Sequence, residues 1–365
     1  MAEVHLSQIT KWFGEPNSKS GVLAVSTFDL DVADGEFLVL LGPSGCGKTT
    51  TLRMVAGLET ATSGDIRIGE RNVTQLAPGD RDIAFVFQFY ALYPHLSVRD
   101  NISFPLRAQN VAADEVERRV NEVAKRLKIE HVLKRRPNRL PSGEQQRVAL
   151  GRAIVRQPQV FLMDEPLTNL DASLRSDMRV ELKHLQQELG TTTLYVTHDQ
   201  TEAMSMSHRI AVMNLGVLQQ VDTPLNIYNR PQTLFVARFI GSPPMNTYTC
   251  NVVDGNQLIG TDNHFRYTLT EADAAKVNGV SEVVFGVRSE DVRLVNMDED
   301  ADIRGVIAVR EPLGDETIYQ IEIDKTRLSV KTPPRQMFRP GDHAQLKINP
   351  RRTHLFDAAS GQRLN

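Results

Sequence analysis

Cysteine is nearly absent: Cys46 and Cys250 are the two in 365 residues. Two thiols cannot build a disulfide framework, and such a chain fits a reducing cytosol. Long apolar runs are missing as well. The stretch FLVLL at 37–41 is a buried strand at most, far short of the roughly 18 residues a membrane span needs. The first residues, MAEVHLSQIT, have neither a basic start nor an apolar core, so no secretory signal is expected there. Charge of one sign is also lacking. The net charge is −3, from 42 Lys+Arg and 45 Asp+Glu, which gives no support to a basic nucleic-acid surface. Low-complexity tracts and obvious repeats are missing too. What is there, 41% hydrophobic and 24% charged residues, describes an ordinary globular protein, long enough for two domains. A role at a membrane is therefore expected from the cytosolic side, through a partner.

Up to about residue 240, strand and helix patterns alternate. EFLVLLG (36–42) reads as a buried strand, followed by a glycine turn and a helix, KTTTLRMVAGL (48–58). VFLMDEP (160–166) and TTTLYVTHD (191–199) are two more buried strands of the kind found in parallel sheets. Residues 97–156 read mostly as helix, with ADEVERRVNEVAKRLKI (113–129) strongly amphipathic. The texture changes at FIGSPPMN (239–246). Beyond it, short alternating runs separated by Gly, Pro and Asp predict a small all-β barrel or sandwich. The expected organisation is thus an α/β domain over 1–238, with a helical subdomain at about 90–156, and a β-rich domain over 239–365.

GPSGCGKTT fits Gly-x-x-x-x-Gly-Lys-Thr from Gly42 to Thr49, with Pro43, Ser44, Gly45, Cys46 and Gly47 between its ends and Thr50 just beyond. Glycines let backbone N–H groups turn inward around phosphate oxygens, and the following helix adds its positive N-terminal end. Lys48 supplies a point charge to the β- and γ-phosphates, and Thr49 a hydroxyl to Mg²⁺. Asp164 and Glu165 end an apolar strand. Adjacent acids there are by themselves more often a cap or turn, but beside Lys48 and Thr49 they read as the second half of an NTPase site, Asp164 for Mg²⁺ and Glu165 for the attacking water. His198 follows another apolar strand; a lone histidine there is usually structural, and a role at the γ-phosphate takes its weight from the family pattern below.

With those residues placed, the sequence resembles the nucleotide-binding subunits of ATP-binding-cassette transporters, most of all the maltose-transporter type. The resemblance implies that Gly42–Thr49 is the Walker A loop and that Asp164 with Glu165 ends Walker B. Gln88, in VFQFYALYPHLSV (86–98), matches the Q-loop glutamine that senses Mg²⁺ and the water. LTNLD (167–171) matches the D-loop, with Asp171 as its acid, and His198 matches the switch histidine. ITKWFG (9–14) resembles the adenine-stacking loop, with Phe13 as the ring and Trp12 beside it. FGVRSEDVRL, LGDETIYQIEID and INPRRTHLFDAASGQRL resemble the family's regulatory domain of oligonucleotide-binding-type barrels; that fold name does not imply nucleic acid, since fold alone does not specify function.

Two departures stand out. The signature loop of the family, Leu-Ser-Gly-Gly-Gln, falls on Leu140–Glu144, where Pro141 replaces the serine, Ser142 the first glycine and Glu144 the glutamine, while Gly143 is kept. Proline removes a hydroxyl and a backbone donor. The loop is read as a genuine signature loop, weakened by these changes; a milder alternative is that Ser142-Gly143-Glu144-Gln145 forms a Ser-x-x-Gln capping box, with the helix starting one residue later and Ser142 presenting the hydroxyl. The second departure is Phe89, where the family often carries a small polar residue. With Tyr90, Leu92, Tyr93 and Pro94, it falls in the region the resemblance assigns to a groove for a coupling helix of the membrane subunits. GEPNSKSG (14–21) reads as an exposed turn and KRRPNR (134–139) as a solvated loop.

The function implied is an ATP-hydrolysing importer subunit on the cytosolic membrane face. It works with Mg²⁺ as a homodimer under two permease subunits, with a solute-binding protein indirectly and a regulator protein at the C-terminal domain. The rival class is an ATP-binding scaffold that closes poorly, because of Pro141 and Glu144. A cassette ATPase acting on DNA or ribosomes is disfavoured by the charge balance and the C-terminal half.

Overall fold

The computed structural model describes residues 2–16, 18, 20–261, 265–323, 326–334 and 337–365. Two residues of the turn expected at 14–21, Asn17 and Lys19, lie outside the described residues; around them Glu15 and Ser20 are exposed. The chain divides into two compact units, Met1–Pro224 and Leu225–Asn365.

In the first unit, β1 (Val4–Phe13), β2 (Val22–Val32), β4 (Ser63–Ile68) and β5 (Arg71–Asn72) form an antiparallel sheet in the order β2-β1-β4-β5. A second sheet carries the site. It is ordered β10-β9-β3-β8-β7-β6 and built from β3 (Phe37–Leu41), β6 (Ile83–Val86), β7 (Val160–Asp164), β8 (Thr192–Thr197), β9 (Arg209–Asn214) and β10 (Val217–Asp222). All neighbours in it are parallel except β9 and β10. Every residue of β3 and β8 is buried, which is why these strands read as continuous rather than alternating. The carboxyl ends of β3, β7 and β8 deliver Gly42, Glu165 and His198, where ligands of open α/β sheets bind.

Helix α1 (Lys48–Ala56) follows β3 directly. Gly57 ends it at φ 74°, donating to Arg53 O and Met54 O. Buried Arg81 covers the same end, donating to Met54 O at 2.8 Å and Val55 O at 2.9 Å. The helical region comprises α2 (Val98–Ala108), α3 (Ala113–Arg126) and α4 (Ser142–Ile154). Ser97 caps α2 by accepting from Asp100 N. On α3, Val116, Val120 and Val123 are buried, while Glu115 and Arg118 pair across the exposed face at the spacing where helix side chains meet.

Of the two readings of this loop, the later start of α4 is not the one that forms. Pro141 is its N-cap, at φ −56° and ψ 156°, and Ser142 is already its first helical residue. Gln145 N donates to Pro141 O at 3.0 Å, so the first helical bond closes on proline. A proline cannot donate but can accept, and its fixed φ suits the entry of a helix.

The second unit is dominated by two antiparallel sheets. One is ordered β13-β12-β11-β14-β20, from β11 (Asn246–Val253), β12 (Gln257–Gly260), β13 (Arg266–Thr268), β14 (Glu282–Val287) and β20 (Thr353–Asp357). The other is ordered β15-β19-β16-β17-β18, from β15 (Val292–Val295), β16 (Ile303–Pro312), β17 (Thr317–Ile323), β18 (Thr326–Thr332) and β19 (His343–Ile348). Phe265, Phe285, Tyr319 and Leu346 belong to the one core these sheets share.

Candidate nucleotide site

The loop between β3 and α1 has almost no room for side chains on its inner wall. A Cβ at Gly42 would lie 2.2 Å from Met213 O, and one at Gly47 would lie 2.5 Å from Ala24 O. Gly45 and Gly47 also adopt φ of 77° and 102°, a region glycine reaches without strain. Helix α1 has no side-chain cap and no acid in its first turn. Its first N–H groups therefore face a recess lined by Ala24, Ser44–Thr50 and Glu165 and lack the side-chain partner that most helix starts provide. Such a cradle fits an anion.

Lys48 is buried, with its ammonium on Gly42 O at 2.8 Å and Pro43 O at 2.9 Å. It is thus held against the loop itself. Cys46 is buried beneath, its Sγ 3.7 Å from that ammonium. Thr49 Oγ1 donates to Asp164 Oδ1 at 2.9 Å, joining the glycine loop to the end of β7. Burial pushes the Asp164 carboxyl above the ordinary aspartate range; the Thr49 hydroxyl opposes the shift and the neighbouring Glu165 charge adds to it. A partly buried carboxylate beside a threonine hydroxyl suits a divalent cation that draws its remaining ligands from phosphates and water.

Glu165 is the meeting point. Its φ of 45° is left-handed, and its N–H donates to Val196 O at 3.0 Å, so the backbone turns sharply after Asp164. Its Oε2 lies 3.2 Å from His198 Nδ1 and receives Gln88 Nε2 at 3.4 Å and Thr168 Oγ1 at 3.3 Å. Asn169 Nδ2 donates to Gln88 O at 2.8 Å, tying the segment after β7 to the segment after β6. Thr168 and Asn169 escaped the sequence reading because they lie inside LTNLD, where Asp171 drew attention. Their signal was a run of short polar side chains just past two acids.

Other expected residues stand apart from this cluster. Asp171 caps α5 (Ala172–Leu189), accepting from Leu174 N at 3.0 Å. Phe13 is an exposed ring with the Lys11 ammonium 4.8 Å from its centroid, and Trp12 is half-buried. Ser142 and Gly143 open α4, and neither lines the recess. Gly143 is packed on Leu174, where a Cβ would sit 2.7 Å from Cδ2. Phe89 is 76% exposed while Tyr90 beside it is buried. Near them Phe87, Tyr93, Phe104 and Arg152 line a wide groove of ≈ 750 Å³.

Comparison with known proteins agrees with this geometry. The ABC transporter family matches residues 25–168, the MalK OB fold domain residues 241–292 and the TOBE domain residues 285–356. The trehalose/maltose import ATP-binding protein MalK of Thermococcus litoralis is 48% identical, across 99% of both chains. The oligosaccharides import ATP-binding protein MsmX of Bacillus subtilis is 44% identical across all of both. The chain belongs to the ATP-binding subunits of ABC importers. This importer subunit is accordingly an ATPase, with a P-loop cassette followed by the OB and TOBE domains. Among solved structures, the dimeric ATP-binding cassette MJ0796, in a post-hydrolysis state bound to ADP and Pi, matches with a TM-score of 0.55 and 30% identity. That match covers 60% of this importer subunit and 98% of the cassette. Relatives named as import ATP-binding proteins lend no support to a closing-deficient scaffold. Among the described residues of this ABC subunit no helix is long and apolar enough to cross a membrane.

Proposed function

We propose that this ABC subunit hydrolyses ATP at a site shared between two copies of the chain, on the cytoplasmic face of a membrane, beneath two permease subunits. Sugars or sugar-like solutes are the cargo, as the names of the maltose/trehalose and oligosaccharide import relatives suggest. A solute-binding protein presents them to the permeases, and the β-rich unit offers a surface to a regulator protein.

One observation carries the reading: Glu165 Oε2 is approached by Gln88, Thr168 and His198 at the mouth of the glycine cradle. Phe13 stacks on the adenine, and the amides of Gly45–Thr50 take the phosphates. Lys48 turns its ammonium toward the β- and γ-phosphates. Thr49, Asp164 and Gln88 hold Mg²⁺, which neutralises charge on the phosphates when bound. Glu165 orients a water in line with the γ-phosphate and takes its proton, and His198 stabilises the charge that develops. Ser142 and Gly143, which do not line the recess of their own chain, serve the γ-phosphate of the partner copy in this reading, with Asp171 at the same seam, as the family resemblance suggests.

The test is Glu165→Gln in the assembled transporter. Expected is a loss of turnover of at least a hundredfold with ATP still bound, and ATP-dependent pairing of the isolated subunit in solution scattering. An undiminished rate, or a chain that stays single at saturating ATP and Mg²⁺, refutes the reading.

A further inference from the structure

Pro141 and Glu144 are two unusual residues three positions apart at the start of α4, and the structure connects them. Glu144 is the third helical residue, counting from Ser142. An acid there ordinarily reaches back to the N-cap N–H, as in a capping box. Pro141 is the N-cap, and proline has no N–H. The carboxylate's usual local partner is therefore missing. It turns instead to a residue thirteen positions upstream: Glu144 Oε1 lies 3.0 Å from His131 Nε2. A carboxylate only accepts, so Nε2 carries the hydrogen. The other oxygen, Oε2, is buried without a hydrogen-bond partner, and the Glu144 side chain is 24% exposed. The carboxylate thus hangs on the imidazole alone among the described residues.

We infer that His131 is a positioning residue for the signature loop: it anchors the Glu144 carboxylate on the flank of α4. The inference rests on the reading that this loop faces the partner copy's γ-phosphate. Near a triphosphate, a loose carboxylate repels the ligand and competes for the very N–H groups that the phosphate needs. Gly143 beside it packs closely on Leu174, where an added Cβ would sit 2.7 Å from Cδ2. His131 lies in a single 3₁₀ turn, Glu130–Val132, held by its own backbone bonds, Leu133 N to Glu130 O and Val132 N to Ile129 O. The backbone that carries the imidazole is therefore held in place, while the side chain itself is 62% exposed.

The assembled transporter carrying His131→Ala, His131→Gln, Glu144→Gln, or His131→Ala with Glu144→Gln tests this. Expected is a fall of roughly tenfold in ATPase rate for His131→Ala, in line with the cost of a small misplacement at a reacting centre. His131→Gln keeps a donor and restores most of the rate. In the Glu144→Gln background, His131→Ala changes the rate by less than about twofold, since no carboxylate is left to restrain. In the isolated nucleotide-free chain, His131→Ala speeds amide hydrogen exchange over residues 142–146 severalfold. Equal losses in both backgrounds would assign His131 a role independent of Glu144 and overturn the inference. So would unchanged exchange in the isolated chain, which decides the matter even if the wild-type complex proves inactive and the broader reading fails.

Discussion

Pro141→Ser is the substitution that best isolates what the altered signature loop lacks. Its structural effect comes first. Helix α4 starts with an N-cap that makes no side-chain bond, and a serine there accepts from an N–H of the first turn, worth about 1 kcal/mol. For a unit of this size, that raises the unfolding midpoint by roughly 2–4 °C. The catalytic effect is separate. A hydroxyl placed on a phosphate oxygen makes a charge-assisted bond worth about 1.5–3 kcal/mol, and each 1.4 kcal/mol realised in the transition state is about tenfold in rate. The expected gain in ATPase rate of the assembled transporter is therefore at least about tenfold, read in a steady-state assay alongside thermal unfolding. The restored N–H also gives Glu144 the local partner it lacks, so dependence on His131 weakens in the same variant. A raised midpoint with an unchanged rate would refute the reasoning: the cap would have formed, and the hydroxyl would have proved irrelevant to turnover.

Three further substitutions probe other parts of the first unit. Arg81→Met strips donors from the carbonyls of Met54, Val55, Thr74 and Leu76, and a loss of about 3 kcal/mol is expected in denaturant titration; a loss under 1 kcal/mol would mean that water replaces the guanidinium. Thr168→Val removes one hydrogen bond to Glu165 Oε2, with kcat expected to drop several-fold at unchanged KM for ATP, whereas a change in KM alone would place Thr168 in binding. Glu202 is buried beneath the Tyr195 and Thr197 hydroxyls at 2.8 Å and 2.7 Å, and burial holds its carboxyl above the ordinary glutamate range against the pull of those two donors. The folded chain therefore binds this proton more tightly than the unfolded one, so the contribution of Glu202 is greatest below the usual glutamate pKa and fades as pH rises through the raised folded value. The unfolding midpoint of Glu202→Gln should gain on the wild type between pH 4 and pH 7, and parallel pH curves would contradict this.

How much of this was legible in the sequence depends on whether the chemistry was local. Gly42–Thr49, Asp164–Glu165 and His198 were legible because each follows a continuously apolar strand, and a parallel sheet brings such strand ends together. Gln88 needed the family pattern, since a glutamine in a loop has no signal of its own. The start of α4 stayed open because Ser-x-x-Gln matches a cap as well as Ser142 inside a first turn, and only Pro141's backbone angles decide between them. Arg81 and His131 were invisible for a different reason. Their partners are backbone carbonyls and a carboxylate brought near by folding, and a single basic residue in a loop says nothing about what will surround it. Phe89, which the sequence grouped with its aromatic neighbours, parts from buried Tyr90 and faces solvent, a separation made by the local turn in which Tyr90 and Ala91 take positive φ.

The proline at the head of α4 also couples two positions. A residue with no amide hydrogen makes positions 141 and 144 interdependent, so the effect of a change at one depends on what occupies the other. With serine at the head of the helix, a backbone hydrogen is available to a glutamate at position 144. With proline there no such hydrogen exists, and the Glu144 carboxylate meets the His131 imidazole instead. Mutational surveys that score the two positions singly and add the results will therefore misjudge the pair.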